Sequence, residues 1–84
     1  MNCRVLYFAR LRERFDLAEE SLQLDGTPSV ADLIAHLQAR GGVWAEELGA
    51  TKNFRVAVNQ ELVQIDAPIP DHAEVAIFPP VTGG

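Results

Sequence analysis

The segment from Val30 to about Arg40 carries the one clear helical pattern in this chain of 84 residues. Ser29 can cap its start, and Asp32 completes a capping box with Asp in place of the usual Glu. Apolar residues at positions i, i+3, i+4 and i+7 form a single stripe: Val30, Leu33, Ile34 and Leu37. Gly41-Gly42 predicts a left-handed stop. One good helix can cover only one face of one sheet, and this limits the folds that are open to the chain.

Most of the other apolar residues fall in segments typical of strands. Cys3 to Ala9 is apolar on both faces and rich in β-branched and aromatic residues, which predicts a buried central strand. Glu74 to Phe78 has the same character, so we expect the first and last strands to be neighbours at the centre of the sheet. Asn59-Gln60 predicts a hairpin turn. Three further strands are predicted: Ser21–Leu24, Phe54–Val58 and Leu62–Ile65.

Two segments have weaker patterns. Arg10 to Asp16 is short and charged, with apolar residues spaced i, i+4, and this predicts one or two helical turns. Trp44 and Leu48 form an apolar pair in a looser stretch. The predicted order β-β-α-β-β-β has one main helix on one face of a mixed sheet of about five strands. This α+β arrangement is the β-grasp, or ubiquitin-like, fold. We assign it to residues 1–78, followed by a flexible tail over residues 79–84.

Length, charge and cysteine content argue against several classes of protein. A single small domain has little room for a large internal active site. The net charge of −5 argues against nucleic-acid binding, which needs a basic footprint. No segment approaches the ~20 apolar residues of a membrane span. The single cysteine, Cys3, cannot form a disulfide within the chain, which fits a reducing compartment. We therefore expect a soluble cytoplasmic protein.

The positive charges are concentrated near the N-terminus. Arg4, Arg10, Arg12 and Arg14 are opposed there only by Glu13, and the rest of the chain is acidic. Parallel neighbouring strands end at the same edge of a sheet. If the first and last strands are such neighbours, the arginines that follow the first strand lie close to the base of the tail.

The tail follows directly on the last predicted strand. At ~3.3–3.6 Å per residue its six residues reach about 20 Å, and its prolines favour an extended start. The final glycines fit a channel too narrow for other residues, and they leave the terminal carboxylate unobstructed. Because termini fray unless they are anchored, we expect the tail to be mobile in the free protein. Its residues are Pro79, Pro80, Val81, Thr82, Gly83 and Gly84.

Three segments resemble a known family. Residues 5–13 (VLYFARLRE), 57–63 (AVNQELV) and 74–84 (EVAIFPPVTGG) are similar to the small subunit of molybdopterin synthase, the MoaD type of sulfur carrier. The resemblance spans nearly the whole chain, and its most specific part is the ending FPPVTGG.

The resemblance implies a carrier whose chemistry takes place at the carboxylate of Gly84, next to Gly83. An adenylating enzyme related to ubiquitin-activating enzymes would join this carboxylate to AMP from ATP. A sulfur donor would then convert it to a thiocarboxylate. The carrier would insert its tail into the large catalytic subunit of molybdopterin synthase, in a heterotetramer of two small and two large subunits. There it would give sulfur to cyclic pyranopterin monophosphate. The chain would not be an enzyme on its own and would bind no cofactor, since ATP is used by the activating partner.

The resemblance also implies residues that bind the partners. It places Phe8, Leu62 and Phe78 on an apolar patch that docks against both enzymes, although each could equally be ordinary core. It suggests that Arg12 is an interface arginine, and it assigns the tail from Pro79 onward to the partner's pocket. For Arg10 and Arg14 we prefer the simpler interpretation that they are solvated charges on a short helix.

Other candidate residues indicate little chemistry. Cys3 is interpreted as a core thiol. Neither His36 nor His72 has a second His or Cys at metal-ligand spacing, so we expect no metal site. Glu46-Glu47 is interpreted as a solvated face. The chain has no Walker or dinucleotide motif, so ATP must be bound by a partner.

Other functions stay open at this point. A thiamin-type sulfur carrier and a ubiquitin-like protein modifier share the Gly-Gly ending, although the FARLRE-like segment favours the molybdopterin type. A β-grasp interaction module whose tail is never modified is the alternative from a different class. A β-grasp ferredoxin is excluded, because one cysteine cannot hold an iron–sulfur cluster.

Overall fold

The first and last strands lie side by side within a five-stranded mixed sheet. In the computed structural model, which describes residues 1–49 and 53–80, β1 (Asn2–Tyr7) pairs in parallel with β5 (Ala73–Phe78). The other strands are β2 (Glu19–Gln23), β3 (Arg55–Val58) and β4 (Glu61–Val63), and the order across the sheet is β2-β1-β5-β3-β4. The predicted β-grasp architecture is confirmed.

The main helix, α2, spans Val30–Gln38 and has the predicted cap. The Ser29 hydroxyl accepts a hydrogen bond from the Asp32 N–H at 3.2 Å, and the Asp32 carboxylate accepts one from the Ser29 N–H at 2.8 Å. These two bonds satisfy donors that a helix start otherwise leaves unpaired. All four residues of the predicted stripe are buried against the sheet. Gly41 and Gly42 have positive φ angles, 76° and 55°, but the C-cap of α2 is Ala39 in the right-handed conformation. The predicted left-handed stop at the glycines is therefore wrong, because the helix has already ended when the chain reaches them.

Two shorter helices accompany α2. Helix α1 (Ala9–Phe15) confirms the predicted helical turns and ends at Asp16, which adopts the left-handed conformation. Helix α3 (Gly42–Glu47) corrects the prediction of a looser stretch. Six residues are too few for a stable isolated helix, so tertiary packing must stabilise α3. The Trp44 ring supplies part of this packing, because it stacks on the Phe15 ring with the two centroids 3.8 Å apart. No helix in the described part of the chain is long and apolar enough to cross a membrane.

The core lies on one side of the sheet only. Along β5, Ala73, Val75 and Ile77 are buried, whereas the residues between them are half-buried. Strand β1 alternates in the same way. The expectation that these strands are buried on both faces is therefore wrong. We call the helix-covered side the covered face and the other side the open face.

The predicted hairpin turn is confirmed, and strand boundaries differ by one or two residues. Asn59 and Gln60 both have positive φ, 50° and 71°, which is the conformation of a tight turn between antiparallel strands. Strand β2 starts two residues earlier than predicted, at Glu19, and β4 ends at Val63. Strand β5 ends at Phe78, immediately before the two prolines.

Candidate functional site

The base of the tail lies at the end of the middle strand of the sheet. The Phe8 N–H donates to the carbonyl of Ile77 at 3.2 Å, so β1 stays paired with β5 almost to its last residue. Pro79 and Pro80 are half-buried and cannot donate a ladder hydrogen bond, which explains why pairing stops there. The remaining tail residues, with their proposed chemistry and expected mobility, lie outside the described residues: Val81, Thr82, Gly83 and Gly84.

The open face carries a continuous apolar patch beside the tail base. One row of this patch crosses four strands through the paired positions Leu6, Ala76, Ala57 and Leu62. A second row, nearer the tail, contains Phe8 and Phe78, which extend the parallel pairing of Tyr7 with Ile77. We define the apolar patch by these residues: Leu6, Phe8, Ala57, Leu62, Ala76 and Phe78.

The three patch residues expected from the sequence lie outside the core. Phe8 is 44% exposed, Leu62 is 71% exposed and Phe78 is half-buried. Their interpretation as ordinary core is wrong for Phe8 and Leu62, because neither side chain is enclosed. Sequence analysis missed Leu6, Ala57 and Ala76. Their period-2 spacing from the predicted residues within each strand was the signal that could have identified them.

Arg10 and Arg14 do not act as free solvated charges. Both bind the carboxylate of Glu47, with Nε–Oε distances of 3.1 and 3.2 Å. Arg14 also pairs with Glu46 at 3.1 Å. The Glu47 side chain is only 4% exposed, so its assignment to a solvated face is corrected, whereas that of Glu46 is confirmed.

The arginine pair explains how Glu47 can be buried. A carboxylate removed from water needs charged or hydrogen-bonding partners, and two guanidinium groups supply them. These bonds tie α1 to α3 across more than thirty residues of sequence. They fix the orientation of α1 and leave Arg12, on the same helix, exposed. Arg12 makes no ion pair with any carboxylate in residues 1–49 and 53–80.

A second polar cluster links β1, β2 and the end of α2. The Tyr7 hydroxyl donates to Glu20 at 2.7 Å, and Arg40 donates two further hydrogen bonds to the same carboxylate at 2.8 and 2.7 Å. The bonds from Arg40 lower the pKa of Glu20. Burial, with the bond to Glu20, raises the pKa of Tyr7. The Arg40 guanidinium also lies 4.4 Å from the centre of the Trp44 ring, a cation–π distance.

The remaining titratable candidates show no catalytic arrangement. Cys3 is buried, as expected for a core thiol, and this burial raises its pKa. His36 and His72 are exposed. Within the described residues, no group of three or more His, Cys, Asp or Glu side chains could hold a metal ion.

The chain is similar in sequence to known sulfur carriers. The model of the ThiS family matches residues 5–84. The molybdopterin synthase sulfur carrier subunit of Escherichia coli is 43% identical over 81 residues, which cover 96% of this chain and 98% of that protein.

Solved structures agree with this likeness. A molybdopterin converting factor subunit 1 from Pyrococcus furiosus superposes with a TM-score of 0.83 at 31% identity, over 96% of this chain and 99% of that chain. SAMP1 from Haloferax volcanii gives 0.79 at 26% identity, with full coverage of both chains. A complex of subunits 1 and 2 of the molybdopterin-converting factor from Helicobacter pylori gives 0.70 at 26% identity, again with full coverage.

Proposed function

Because the chain belongs to the ThiS family, we propose that it is the sulfur carrier subunit of a molybdopterin synthase. The observation that carries the proposal is the placement of the tail base, Pro79 and Pro80. These prolines follow directly on the middle strand of the sheet, beside an apolar patch on the uncovered face. The likeness over nearly full length to the Escherichia coli sulfur carrier subunit supports the same function.

The proposed chemistry takes place at the carboxylate of Gly84. A carboxylate oxygen attacks the α-phosphate of ATP on an adenylating enzyme, pyrophosphate leaves, and a mixed anhydride with AMP forms. Sulfur at the oxidation level of sulfide, supplied by a donor, then attacks the carbonyl carbon of Gly84, AMP leaves, and a thiocarboxylate remains. Two carriers charged in this way supply the two sulfurs of the dithiolene made from cyclic pyranopterin monophosphate.

In this mechanism the carrier must be recognised by its partner enzymes, but it needs no catalytic side chain of its own. The described residues fit that division, because their polar groups build the fold. No buried side-chain nitrogen or oxygen among them lacks a hydrogen-bond partner. Glu20, Tyr7 and Glu47 are all engaged in structural bonds. The chain is therefore proposed to donate sulfur while its large-subunit partner performs catalysis.

The proposed partners are the large catalytic subunit, in a heterotetramer of two small and two large subunits, and an adenylating enzyme. The likeness to the small-subunit chain of the Helicobacter pylori complex supports the first partner. The apolar patch is the proposed docking surface, because Phe8 and Leu62 are large side chains exposed where monomers usually bury them. Arg12 is proposed to contact the partner from α1.

The test is to move the terminal carboxylate without changing the fold. Deleting Gly84, or adding one Ala after it, should abolish thiocarboxylate formation, because the carboxylate no longer meets the bound nucleotide. The control adds one Ala before Met1 instead. The measurement is the intact mass of each protein after incubation with the activating enzyme, ATP and a sulfur donor, alongside its melting temperature.

The same measurement separates the alternatives. An Ala-extended chain that is thiocarboxylated without trimming would contradict the proposed role of Gly84. A wild-type chain whose mass never changes would indicate an unmodified interaction module. A chain recovered joined to lysines of other proteins would indicate a protein modifier.

A further inference from the structure

Most arginines of this chain are neutralised from within it. The paired guanidiniums and their carboxylate partners are Arg4 with Glu19 and Glu74, Arg10 with Glu47, Arg14 with Glu46 and Glu47, and Arg40 with Glu20. Within the described residues, Arg12 and Arg55 make no ion pair. The positive charges of these two arginines are therefore not neutralised by any carboxylate in the described part of the chain.

The two arginines are placed differently relative to the base of the tail. Arg55 begins β3, which is antiparallel to β5, so its paired residue is Phe78 at the other strand's end. Arg12 lies on α1, which starts where the pairing of β1 with β5 ends. Because β3 is a direct neighbour of β5, Arg55 lies beside the base of the tail, whereas Arg12 lies on the helix that follows the other neighbour, β1.

Arg55 also belongs to the open face. Strand β3 alternates exposed or half-buried residues with buried ones, and Arg55 shares its side with Ala57 of the apolar patch. Asp66 lines the same shallow recess as Arg55 and Leu62, but the two make no ion pair in the described structure. In a chain with a net charge of −5, Arg55 is a positive charge, unpaired within the described residues, at the edge of the apolar patch.

We propose that Arg55 is a docking residue that, together with Arg12, binds acidic side chains at the mouth of the partner channel that receives the tail. This inference rests on the proposed function and names the chemistry of the partner surface. A charge at the rim of an apolar contact steers approach and fixes orientation more than it adds affinity.

The length of the tail decides which partner groups Arg55 can reach. Fully extended at ~3.3–3.6 Å per residue, the six residues after Phe78 would place the Gly84 carboxylate about 20 Å from the sheet. ATP phosphates that react with Gly84 in this arrangement would lie far from Arg55. Its partners are side chains at the channel entrance, and the effect of Arg55 falls on association and not on the chemical step.

The experiment compares charge-removing variants at two ends of the same face. Arg55→Gln removes the proposed docking charge, and Arg55→Lys keeps it. Arg4→Gln is the matched control, because Arg4 is exposed on β1 at the other end of the sheet and is already paired with Glu19 and Glu74. Association rates are measured with the large subunit and the activating enzyme of the same organism, at low and high salt.

Arg55→Gln should slow association roughly threefold or more at low salt and approach the wild-type rate at high salt. Arg55→Lys and Arg4→Gln should stay near the wild-type rate. The double variant Arg12→Gln/Arg55→Gln should be slower than either single one, with the weakest salt dependence. Melting temperatures of the Arg55 variants should match that of the wild type, because Arg55 makes no ion pair in the described structure. Arg4→Gln should melt close to it, because the ion pairs of Arg4 are solvent-exposed and contribute little.

Two failures are distinguishable. If wild-type protein binds and is thiocarboxylated but Arg55→Gln keeps its rate and salt dependence, the role of Arg55 is overturned and the proposed function stands. An equal loss in Arg55→Lys, or a loss that persists at high salt, also overturns a docking charge. If wild-type protein neither binds these partners nor gains sulfur, the proposed function and this inference fall together.

Discussion

The covered and open faces of the sheet are built from the same strands, yet they differ in what surrounds their apolar residues. On β5, Ile77 is fully buried, while the next residue, Phe78, is half-buried on the other side. The covered face meets α2 and its apolar stripe. The open face has Phe8 and Leu62 exposed. A small fold with one main helix thus stabilises itself through one face and keeps the other available for binding.

Charged side chains also divide into those that stabilise the fold and those that are free to bind a partner. Glu47 and Glu20 are largely buried and are each held by guanidinium groups that connect separate elements. Arg55 on the open face and Arg12 on α1 have no such partner in the described residues. Charges that stabilise the fold and charges proposed for recognition are therefore different residues, so mutation can test them separately.

The largest expected effect is loss of stability from the covered face. Leu33 of α2 is fully buried, and Leu33→Ala should lower the free energy of unfolding by about 3 kcal/mol, through lost burial and an unfilled cavity. Leu62→Ala makes the same chemical change on the open face. Leu62 is 71% exposed, so the loss should be below about 0.5 kcal/mol. Urea denaturation measures both values.

A large loss in Leu62→Ala would break the comparison, because it would mean that the open face contributes to the folded core. A small loss of unfolding free energy in Leu33→Ala would also contradict the comparison, because it would mean that the covered face contributes little to stability. Equal m-values in the two variants would show that the unfolding reactions are comparable.

The next effect is a loss of affinity at Phe78. Phe78→Ala should weaken binding to the large subunit by about 2 kcal/mol if Phe78 anchors the interface. Its cost to stability should be smaller than that of Leu33→Ala, because Phe78 is only half-buried. Calorimetric titration and thermal melting measure the two quantities.

Ile77→Ala is the matched control, since Ile77 is adjacent in sequence but lies on the covered face. It should lower the melting temperature and leave the affinity of the folded protein nearly unchanged. A Phe78→Ala protein that loses about 3–5 kcal/mol of stability and binds normally would identify Phe78 as core instead.

The smallest expected effect is the pH-dependent contribution of Glu20 to stability, which tests the structural role of the buried polar groups. Hydrogen bonds from Arg40 lower the pKa of Glu20 below its ordinary value near 4.5. The folded state therefore releases this proton more readily than the unfolded state. Its stabilisation is fully present above about pH 4.5 and is lost as the pH falls through the lower folded value. Glu20→Gln should cost about 1–2 kcal/mol at neutral pH, because charged hydrogen bonds are lost.

The cost of Glu20→Gln should shrink as the pH falls below about 4.5 and through the lower folded pKa of Glu20, where the wild-type carboxylate also becomes neutral. The control is Glu61→Gln, an exposed residue of β4 without an ion pair in the described residues. A Glu20→Gln deficit that stayed constant from neutral to acidic pH would show that charge is not the cause.

Local sequence was enough to determine the five strands, α1 and α2, and the order of these elements. The capping box of Ser29 and Asp32 and the apolar stripe of α2 depend only on residues within a few positions of each other. The positive φ angles at Asn59-Gln60 are similarly local. The central pairing of β1 with β5 also followed from the sequence, because their apolar composition set them apart from the other strands. The family resemblance predicted that Phe8, Leu62 and Phe78 bind the partners. The pairing register of the strands places the three residues on the same face of the sheet.

Tertiary structure decided the features that depend on distant partners. Helix α3 forms because Trp44 packs on Phe15, and Glu47 is buried because Arg10 and Arg14 reach it from another helix. A local sequence pattern cannot predict contacts between residues that lie about thirty positions apart in the chain. The central strands have apolar residues on both sides, so their pattern alone indicates burial on both faces. Whether a face is covered depends on how many helices pack on the sheet, and here they leave the open face, with the tail base at its edge, uncovered.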